Sequence, residues 1–307
     1  MQLMKVAVFY YTQTGQALCI AKSVCRPMEA AGVEVVYRAI EPVTPFPYPW
    51  SYMNFFQQMP ETRLYMPAPI KDPDFTGVED ADLVMLSGQS WYLSPSQPIE
   101  AFLQNERARA FMKGRPVVTL NGCRNMWAMG QKEIRRQLAS AGARYVGYIV
   151  LQDEHPNLVS LFSIVSWLFY DKKEAHGLIP YAGVTDKNID AAERFGAPLL
   201  KALRNADFSN LQQELVALGS VPYRSFLVFV ETVGHRMFGK WAKFCRKKGG
   251  PNAEERSTRI FLFSLYVFFA LLVVSPIVIV IYYATYLLRI PGIKRQKKDL
   301  LFNLADK

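Results

Sequence analysis

The sequence predicts an α/β fold, a doubly wound sheet of five parallel strands over residues 1–200, followed by a helical membrane-associated extension. Short apolar runs and helical patterns alternate along the first part of the chain, which is typical of an open parallel sheet covered on both faces. The distribution of charge supports this division into an α/β domain and a C-terminal extension. Residues 1–220 carry 21 Lys and Arg against 21 Asp and Glu, whereas residues 221–307 carry 15 against 5. A neutral body argues against nucleic acid as its partner, and a basic tail favours anionic lipid.

The predicted elements follow in order. Residues 5–11 are apolar, β-branched and aromatic, as in a buried strand, and residues 33–40 alternate apolar with polar side chains, as in a strand with one wet face. Three further strands are nearly continuous apolar runs, at residues 81–87, 115–120 and 144–151. Helical patterns lie between the strands, at residues 17–31, 96–112 and 126–141. Ligands of such a sheet bind at the carboxyl ends of the strands.

The loop after the first strand has the composition of a phosphate-binding turn. It reads Thr12, Gln13, Thr14, Gly15, Gln16, Ala17. Backbone N–H groups at a helix N-terminus, together with hydroxyl donors, suit a phosphate monoester. No Gly-Lys-Ser/Thr follows, which excludes a P-loop for nucleoside triphosphates. The loop is similar to the flavin mononucleotide (FMN) loop of flavodoxins, Thr/Ser-x-Thr-Gly-x-Thr, and departs from it at Ala17, which lacks the last hydroxyl.

Two other loops follow predicted strand ends and complete the resemblance to a flavodoxin-like domain. The first contains Ser87, Gly88, Gln89, Ser90, Trp91 and Tyr92, and the second contains Asn121, Gly122, Cys123 and Asn125. Both are rich in glycine, hydroxyl or amide groups, and the first adds two flat rings on which an isoalloxazine can stack. In flavodoxin-like proteins three such loops converge on the cofactor. The resemblance therefore implies that all of these residues bind FMN.

A segment rich in proline and aromatic residues, residues 41–75, is an insertion relative to a minimal flavodoxin. Its prolines predict that no regular helix forms there. Two interpretations remain: an irregular flap packed on the sheet edge, or a hydrophobic wall that grips an alkyl chain beside the flavin. The candidate wall residues are Phe46, Trp50, Phe55 and Phe56, with Trp127 from the loop after the fourth strand.

The last part of the chain contains its longest apolar run. Residues 260–288 form 29 positions without a formal charge, enough to cross a bilayer. The run is either one span kinked near Pro276 or two half-length segments that enter and leave on the same side. Seven basic residues precede it from Lys240 and six follow it from Arg289, so the positive-inside rule selects no orientation. Equal basic flanks favour a re-entrant or interfacial element.

Residues 201–259 are predicted to be an amphipathic helical linker on the membrane surface, and residues 289–307 a basic tail. The apolar pattern at residues 157–170 is too short to span a bilayer and is either a buried helix or one at the membrane interface. Residues 1–30 show no secretory signal, and four cysteines without paired spacing indicate a reducing compartment. Three widely separated histidines give no support for a metal site. We expect the protein to be located at the cytoplasmic face of the bacterial inner membrane.

Five short sequence motifs narrow the resemblance to one family. They are residues 10–16 (Tyr-Tyr-Thr-Gln-Thr-Gly-Gln), residues 46–50 (Phe-Pro-Tyr-Pro-Trp), residues 59–61 (Met-Pro-Glu), residues 122–127 (Gly-Cys-Arg-Asn-Met-Trp) and residues 157–160 (Asn-Leu-Val-Ser). Together they resemble the dialkylresorcinol condensing enzyme family over residues 5–200. That family is linked to bacterial dialkylresorcinol and flexirubin-type pigment pathways. The resemblance implies an FMN-dependent aromatase that oxidises a lipid-like 2,5-dialkylcyclohexane-1,3-dione to a dialkylresorcinol.

This chemistry needs a base beside a carbonyl group and a hydride acceptor. His155 and Glu154 (or Asp153), after the fifth strand, are the candidate bases, and Arg124 is the candidate for polarising the carbonyl or neutralising reduced flavin. Two alternatives remain open: an electron carrier or NAD(P)H:quinone reductase at the membrane, and a flavin-free scaffold, for which Ala17 is the hint. The sequence leaves the alkyl chain lengths, the electron acceptor and a homo-oligomeric state undetermined.

Overall fold

A computed structural model describes residues 4–304, except the side chains of residues 157 and 158. It confirms the doubly wound sheet. The strands are β1 (Lys5–Tyr10), β2 (Glu34–Ala39), β3 (Leu83–Trp91), β4 (Ser94–Pro95), β5 (Pro116–Cys123) and β6 (Arg144–Gln152). Five of them are parallel in the order β2-β1-β3-β5-β6, and β4 pairs antiparallel with β3. This is the strand order of the flavodoxin-like fold, with one added two-residue strand.

The α-helices are α1 (Gln16–Ala30), α2 (Tyr52–Gln57), α3 (Met59–Arg63), α4 (Gln97–Gln104), α5 (Glu106–Met112), α6 (Ala128–Ser140), α7 (Asn157–Tyr170), α8 (Asp186–Asp190), α9 (Gly196–Asn205), α10 (Leu211–Ala217), α11 (Ser225–Arg246), α12 (Ser257–Phe269), α13 (Ser275–Ala284) and α14 (Tyr286–Phe302). Short 3-10 turns occur at Ala191–Phe195 and Glu254–Arg256, and a π-helical turn joins α12 to α13 at Ala270–Val274.

Two apolar layers cover the sheet. Side chains of α1, α9 and α10 pack on one face, and side chains of α4, α5 and α6 pack on the other. The first layer includes Leu199, Leu203 and Leu215, all buried. The α/β core therefore continues past the boundary expected at residue 200, because α9 and α10 supply part of the cover of the sheet.

Two strands are longer than the sequence indicated. The predicted turn at Ser87 is instead strand, since Gly88 and Gln89 of β3 pair with Asn121 and Gly122 of β5. The chain reverses only at residues 92 and 93, whose φ angles are 46° and 62°. Gly88 is required where it stands, because a Cβ there would lie 2.5 Å from Cγ1 of Ile99.

The prediction that the 41–75 insertion contains no regular helix is wrong. Its prolines before Trp50 are outside helices, but α2 and α3 follow directly. Ser51 begins α2 by accepting a hydrogen bond from the Asn54 amide, and Pro60 lies in the first turn of α3, where a missing N–H costs nothing.

The apolar run forms one continuous helix. From Glu254 to Ala284 it contains 31 residues, and within residues 4–304 it is the one helix long and apolar enough to cross a membrane. Only 6% of its most apolar window is buried. The alternative of two half-length segments reversing at Pro276 is wrong, because the helix continues through the π-helical turn that precedes this proline. We call residues 254–284 the apolar helix.

Candidate functional site

The structure brings the three predicted loops together at the carboxyl ends of β1, β3 and β5. The Tyr11 amide donates to the Ser87 carbonyl (3.0 Å), and the Ser87 hydroxyl donates to the Ala17 carbonyl (2.8 Å). The Asn121 side-chain amide donates to the Ser90 hydroxyl (2.9 Å). Since residues 87–91 belong to β3 and residues 121–123 to β5, the predicted loops are joined here by hydrogen bonds at the strand ends.

The first of the three loops, residues 12–17 after β1, contains the N-terminus of α1. Gly15 precedes the helix with a φ of 84°, a left-handed conformation that glycine adopts without strain. The hydroxyl of Thr12 accepts a hydrogen bond from the Ala17 amide at 3.3 Å. Within residues 4–304 the backbone amides of residues 12–16 donate no hydrogen bond. They form a row of donors at the positive end of a helix dipole, where an anion is favoured.

Two glutamine side chains of this loop hold it in place. Gln13 accepts from the indole N–H of Trp50 (3.1 Å) and donates to the Pro47 carbonyl (3.0 Å), which ties the loop to the insertion. Gln16 donates to the Val184 carbonyl (3.1 Å). A Cβ on Gly122 would lie 3.7 Å from Oε1 of Gln16, so the first and third loops are neighbours.

Trp91 is the centre of an aromatic wall beside these loops. Its ring centroid lies 5.0 Å from that of Phe46, 5.9 Å from that of Trp50 and 5.9 Å from that of Tyr11. The wall continues along α2. Phe55 is 6.0 Å from Trp50 and 5.2 Å from Phe56, and Phe56 is 6.1 Å from Phe263 of the apolar helix. Aromatic contacts therefore run without a gap from the sheet edge to the apolar helix.

Of the remaining predicted site aromatics, Tyr92 contacts the wall at Phe55, with 5.2 Å between ring centroids, and Trp127 lies outside it. The Tyr92 hydroxyl donates to the Phe55 carbonyl (2.7 Å), and burial raises its pKa, so this side chain is part of the packing under α2. Trp127 is buried 6.0 Å from Tyr148, in a cluster with Val221 and Val228 on the far side of the third loop. The structure therefore does not place Trp127 in the aromatic wall, because the loop turns its ring toward α11.

A histidine–aspartate pair follows β6. Nδ1 of His155 lies 2.7 Å from Oδ1 of the buried Asp153, whose Oδ2 accepts from the Ser160 hydroxyl at 2.7 Å. The Asp153 amide bonds to the Cys123 carbonyl (3.1 Å), which places the pair next to the third loop. Because Nδ1 faces the carboxylate, Nε2 points the other way, as in a general base oriented by a carboxylate.

The other candidates surround this pair unequally. Arg124 interacts electrostatically with Asp153, while burial lowers its pKa from the ordinary value. Burial raises the pKa of the Cys123 thiol, which opposes formation of a reactive thiolate. Glu154 is exposed and lines a 330 Å³ cleft with Arg194 and Arg224, beside the outer strand β6. Glu154 thus lines a cleft to which none of the predicted loop residues contributes.

Glu231 of α11 is a buried carboxylate that sequence reasoning missed. It accepts hydrogen bonds from the amides of Ala128 (3.1 Å) and Met129 (2.7 Å) at the N-terminus of α6. Burial raises its pKa to about 7. The signal in the sequence was a lone acidic residue within the amphipathic pattern of residues 221–244. Two side-chain oxygens at strand ends, Oδ1 of Asn121 and Oε1 of Gln152, are buried without a hydrogen-bond partner in the described part of the chain.

No protein-family model matches this chain, and no curated protein matches it either. Solved structures similar to it include a flavodoxin from the domain Archaea (14% identity, TM-score 0.38, covering 66% of this chain and 99% of that one) and two-electron reduced Megasphaera elsdenii flavodoxin (16%, 0.33, 50% and 89%). The flavodiiron protein from Giardia intestinalis is a third (12%, 0.38, 68% and 37%). Likeness at this level concerns the fold alone, and the strand order carries the assignment. By that order the chain is an α/β protein of the flavodoxin-like fold.

Proposed function

We propose that this chain is a membrane-associated, FMN-dependent oxidoreductase that aromatises a 2,5-dialkylcyclohexane-1,3-dione to a dialkylresorcinol. The observation that carries the proposal is the aromatic wall, which begins at Trp91 beside the three loops and ends on Phe263 of the apolar helix. Its half-buried members, Phe46, Phe55 and Trp91, would contact a ring substrate whose alkyl chains dissolve in lipid.

The residues at the sheet edge fit FMN. The amides of residues 12–16 suit its phosphate, and Trp91 offers a flat ring for its isoalloxazine. Oδ1 of Asn121, buried and without a partner among the described residues, suits a ring N–H donor. When bound, FMN would supply the two-electron acceptor that aromatisation requires.

The side chains after β5 and β6 would handle the proton. Aromatisation removes a hydride and a proton from neighbouring ring carbons, and the acidic proton lies beside a carbonyl. Nε2 of His155 would accept it, while Asp153 holds the ring and stabilises the imidazolium that forms. Ser160 fixes the second oxygen of Asp153. Arg124, which interacts electrostatically with Asp153, would stabilise the enolate through its positive charge.

The test uses the full chain purified in mild detergent. We expect flavin absorbance in the protein, and formation of the resorcinol, detected by mass spectrometry, when a dialkylcyclohexanedione is added. Absence of flavin and no rescue by added FMN would leave the flavin-free scaffold. Bound flavin with rapid NAD(P)H-to-quinone transfer and no resorcinol would favour the reductase.

His155→Gln tests the base. We expect turnover to fall by roughly 100-fold or more, since a positioned general base contributes this much, with FMN content unchanged. His176→Gln is the control, because His176 bonds to Ser166 and to the Glu174 carbonyl, away from Asp153. Equal turnover of the two variants would remove His155 from the mechanism.

A further inference from the structure

The first end of the apolar helix is fixed to the insertion by a buried arginine. Arg256 is fully buried, and its guanidinium donates to both carboxylate oxygens of Glu61 in α3 (2.7 and 2.9 Å). It also donates to the side chain and the carbonyl of Gln57 (2.6 and 2.7 Å). A buried charge held by four hydrogen bonds does not leave its partners readily. This end of the helix therefore stays on the α/β domain.

The second end is held by aromatic packing. Tyr282 is 2% exposed, and its ring lies 5.2 Å from that of Phe226 and 5.3 Å from that of Phe229, both in the first turns of α11. Near the first end, Phe263 lies 5.0 Å from Phe238, in the second half of α11. The apolar helix thus runs antiparallel beside α11 and touches it near both ends.

Helix α11 is itself docked on the α/β domain. Glu231 joins it to α6, and Arg63 of α3 donates to the His235 carbonyl at 2.7 Å. A crossing helix must place its ends on opposite sides of a hydrocarbon core about 30 Å thick. If the apolar helix crossed the bilayer, α11 would lie in the same hydrocarbon core together with its charged residues Glu231 and Lys240. The geometry excludes this as long as both contacts persist.

The face of the apolar helix turned away from the domain is both apolar and bordered by positive charge. Exposed apolar residues on it include Phe261, Leu265, Phe269, Leu272 and Val280. Exposed lysines, Lys243 before it and Lys294, Lys297 and Lys298 after it, lie near its two ends. Apolar side chains bordered by cations match the acyl boundary and the anionic headgroups of a lipid leaflet.

We infer that the apolar helix lies along a single leaflet containing anionic lipid, with both ends on the side of the α/β domain, and does not cross the bilayer. The inference rests on the membrane part of the proposed function and is independent of the flavin. It assigns one occupant to the exposed face, the acyl boundary of one leaflet.

Thiol labelling on sealed vesicles tests the topology. The full chain is bound from outside to vesicles of phosphatidylglycerol and phosphatidylcholine, and a membrane-impermeant maleimide is added. Exposed Cys19 marks the α/β domain, and Thr258→Cys and Lys298→Cys report the two flanks. We expect both flanks to react as Cys19 does. Protection of one flank until detergent is added would show a crossing helix and overturn the inference.

Depth is measured with a nitroxide on Leu272→Cys. An in-plane helix places this residue about 5–10 Å into the headgroup and acyl boundary. A crossing helix would place it near the bilayer centre, about 15 Å deep, which would overturn the inference.

Charge is tested with matched triple variants. Replacing Lys294, Lys297 and Lys298 with Gln should weaken partitioning onto phosphatidylglycerol vesicles by roughly 100-fold and leave binding to neutral vesicles unchanged. The control replaces Lys22, Lys187 and Arg204, which are exposed on the α/β domain. Equal losses for both triples, or no vesicle binding by the unaltered chain, would overturn the inference. FMN content and resorcinol formation, measured on the same preparations, report separately on the proposed function.

Discussion

Two helices begin at the carboxyl edge of the sheet, α1 after β1 and α6 after β5, and their N-termini are occupied differently. The first amides of α6 bond to the carboxylate of Glu231, which comes from α11. At α1 the chain supplies only the Thr12 hydroxyl, and the amides of residues 12–16 donate no bond within residues 4–304. Both ends attract negative charge. The chain neutralises one with its own carboxylate, and the other is where we expect a ligand phosphate.

The largest expected effect comes from removing the Glu231 carboxyl group, which accepts these hydrogen bonds. Glu231→Ala leaves the buried amides of Ala128 and Met129 without an acceptor, at 1–3 kcal/mol each, so we expect a loss of about 4 kcal/mol in unfolding free energy. Urea denaturation measures it. Glu79→Ala, at an exposed position, should change stability by less than about 0.5 kcal/mol. A similar small change for both variants would contradict the role of Glu231.

The second effect is a pH dependence. Burial raises the pKa of Glu231 to about 7 from an ordinary 4.5, so the folded chain retains a proton that the unfolded chain has lost. Stability from this group therefore falls as pH rises from about 4.5 to about 7, by roughly 3 kcal/mol. Glu231→Gln should remove this contribution, measured as the difference in urea midpoints between the variant and the unaltered chain from pH 5 to 8. His235, whose pKa burial lowers to about 4, gives the opposite slope below about pH 6.5 and cancels in that difference.

Glu100 must be treated alongside it, because burial also raises its pKa to about 7 and adds a decline of the same sign. Glu100→Gln is therefore the matched comparison: each single variant should flatten part of the profile. A Glu231→Gln profile parallel to that of the unaltered chain would contradict the prediction.

The third prediction concerns the open helix end. Gly15→Ala places a side chain at a φ of 84°, which costs about 1–2 kcal/mol, and should weaken FMN binding by roughly tenfold because the loop must change shape. Titration by flavin fluorescence quenching measures the Kd. Gly32→Ala is the control at the other end of α1, with a φ of 81° and the same open space. It should lose similar stability without a change in Kd. An unchanged Kd for Gly15→Ala would argue against a phosphate at α1.

The smallest effect tests the departure from the flavodoxin pattern. Ala17→Thr restores the missing hydroxyl and should tighten FMN binding by roughly tenfold, the lower end of what one hydrogen bond to a charged group contributes. Ala17→Val has nearly the same shape without the hydroxyl, so it separates hydrogen bonding from packing at this buried position. Equal Kd values for Thr and Val would show that the hydroxyl does not reach the phosphate.

Much of the fold could be predicted from local sequence patterns. Strand cores and the first loop could be predicted, because side-chain periodicity and a glycine between hydroxyls are written within a few residues. Strand ends could not, since Gly88 is strand only through its pairing with Asn121 on β5. The helices of the insertion were missed because the prolines before Trp50 outweighed the ordinary helix-forming run after it.

The residues of the candidate site, too, could be predicted only where they are close together in the sequence. The three loops and the Asp153–His155 spacing are local, whereas Glu231 reaches α6 across 103 positions of sequence, and no local pattern reports such a contact. Trp127 shows the converse: the loop was placed at the correct edge of the sheet, but its tryptophan turns to the opposite side to pack on Tyr148.

The contact of α14 with the sheet bears on how the exposed apolar surface of the apolar helix can be reduced. Gln212 accepts from the Tyr148 amide of the outer strand β6 and donates to the Leu301 carbonyl, both at 2.9 Å, so the end of the tail is tied to the edge of the sheet through one side chain. Cutting the chain before Ser257 would remove the apolar helix, but it would also remove Leu300 and Leu301, which pack in one cluster with Tyr148 and Val150 of β6. Loss of this packing would expose apolar surface on the α/β domain. Polar substitutions on the outer face of the intact apolar helix would keep this packing, and they are the better way to reduce the exposed apolar surface.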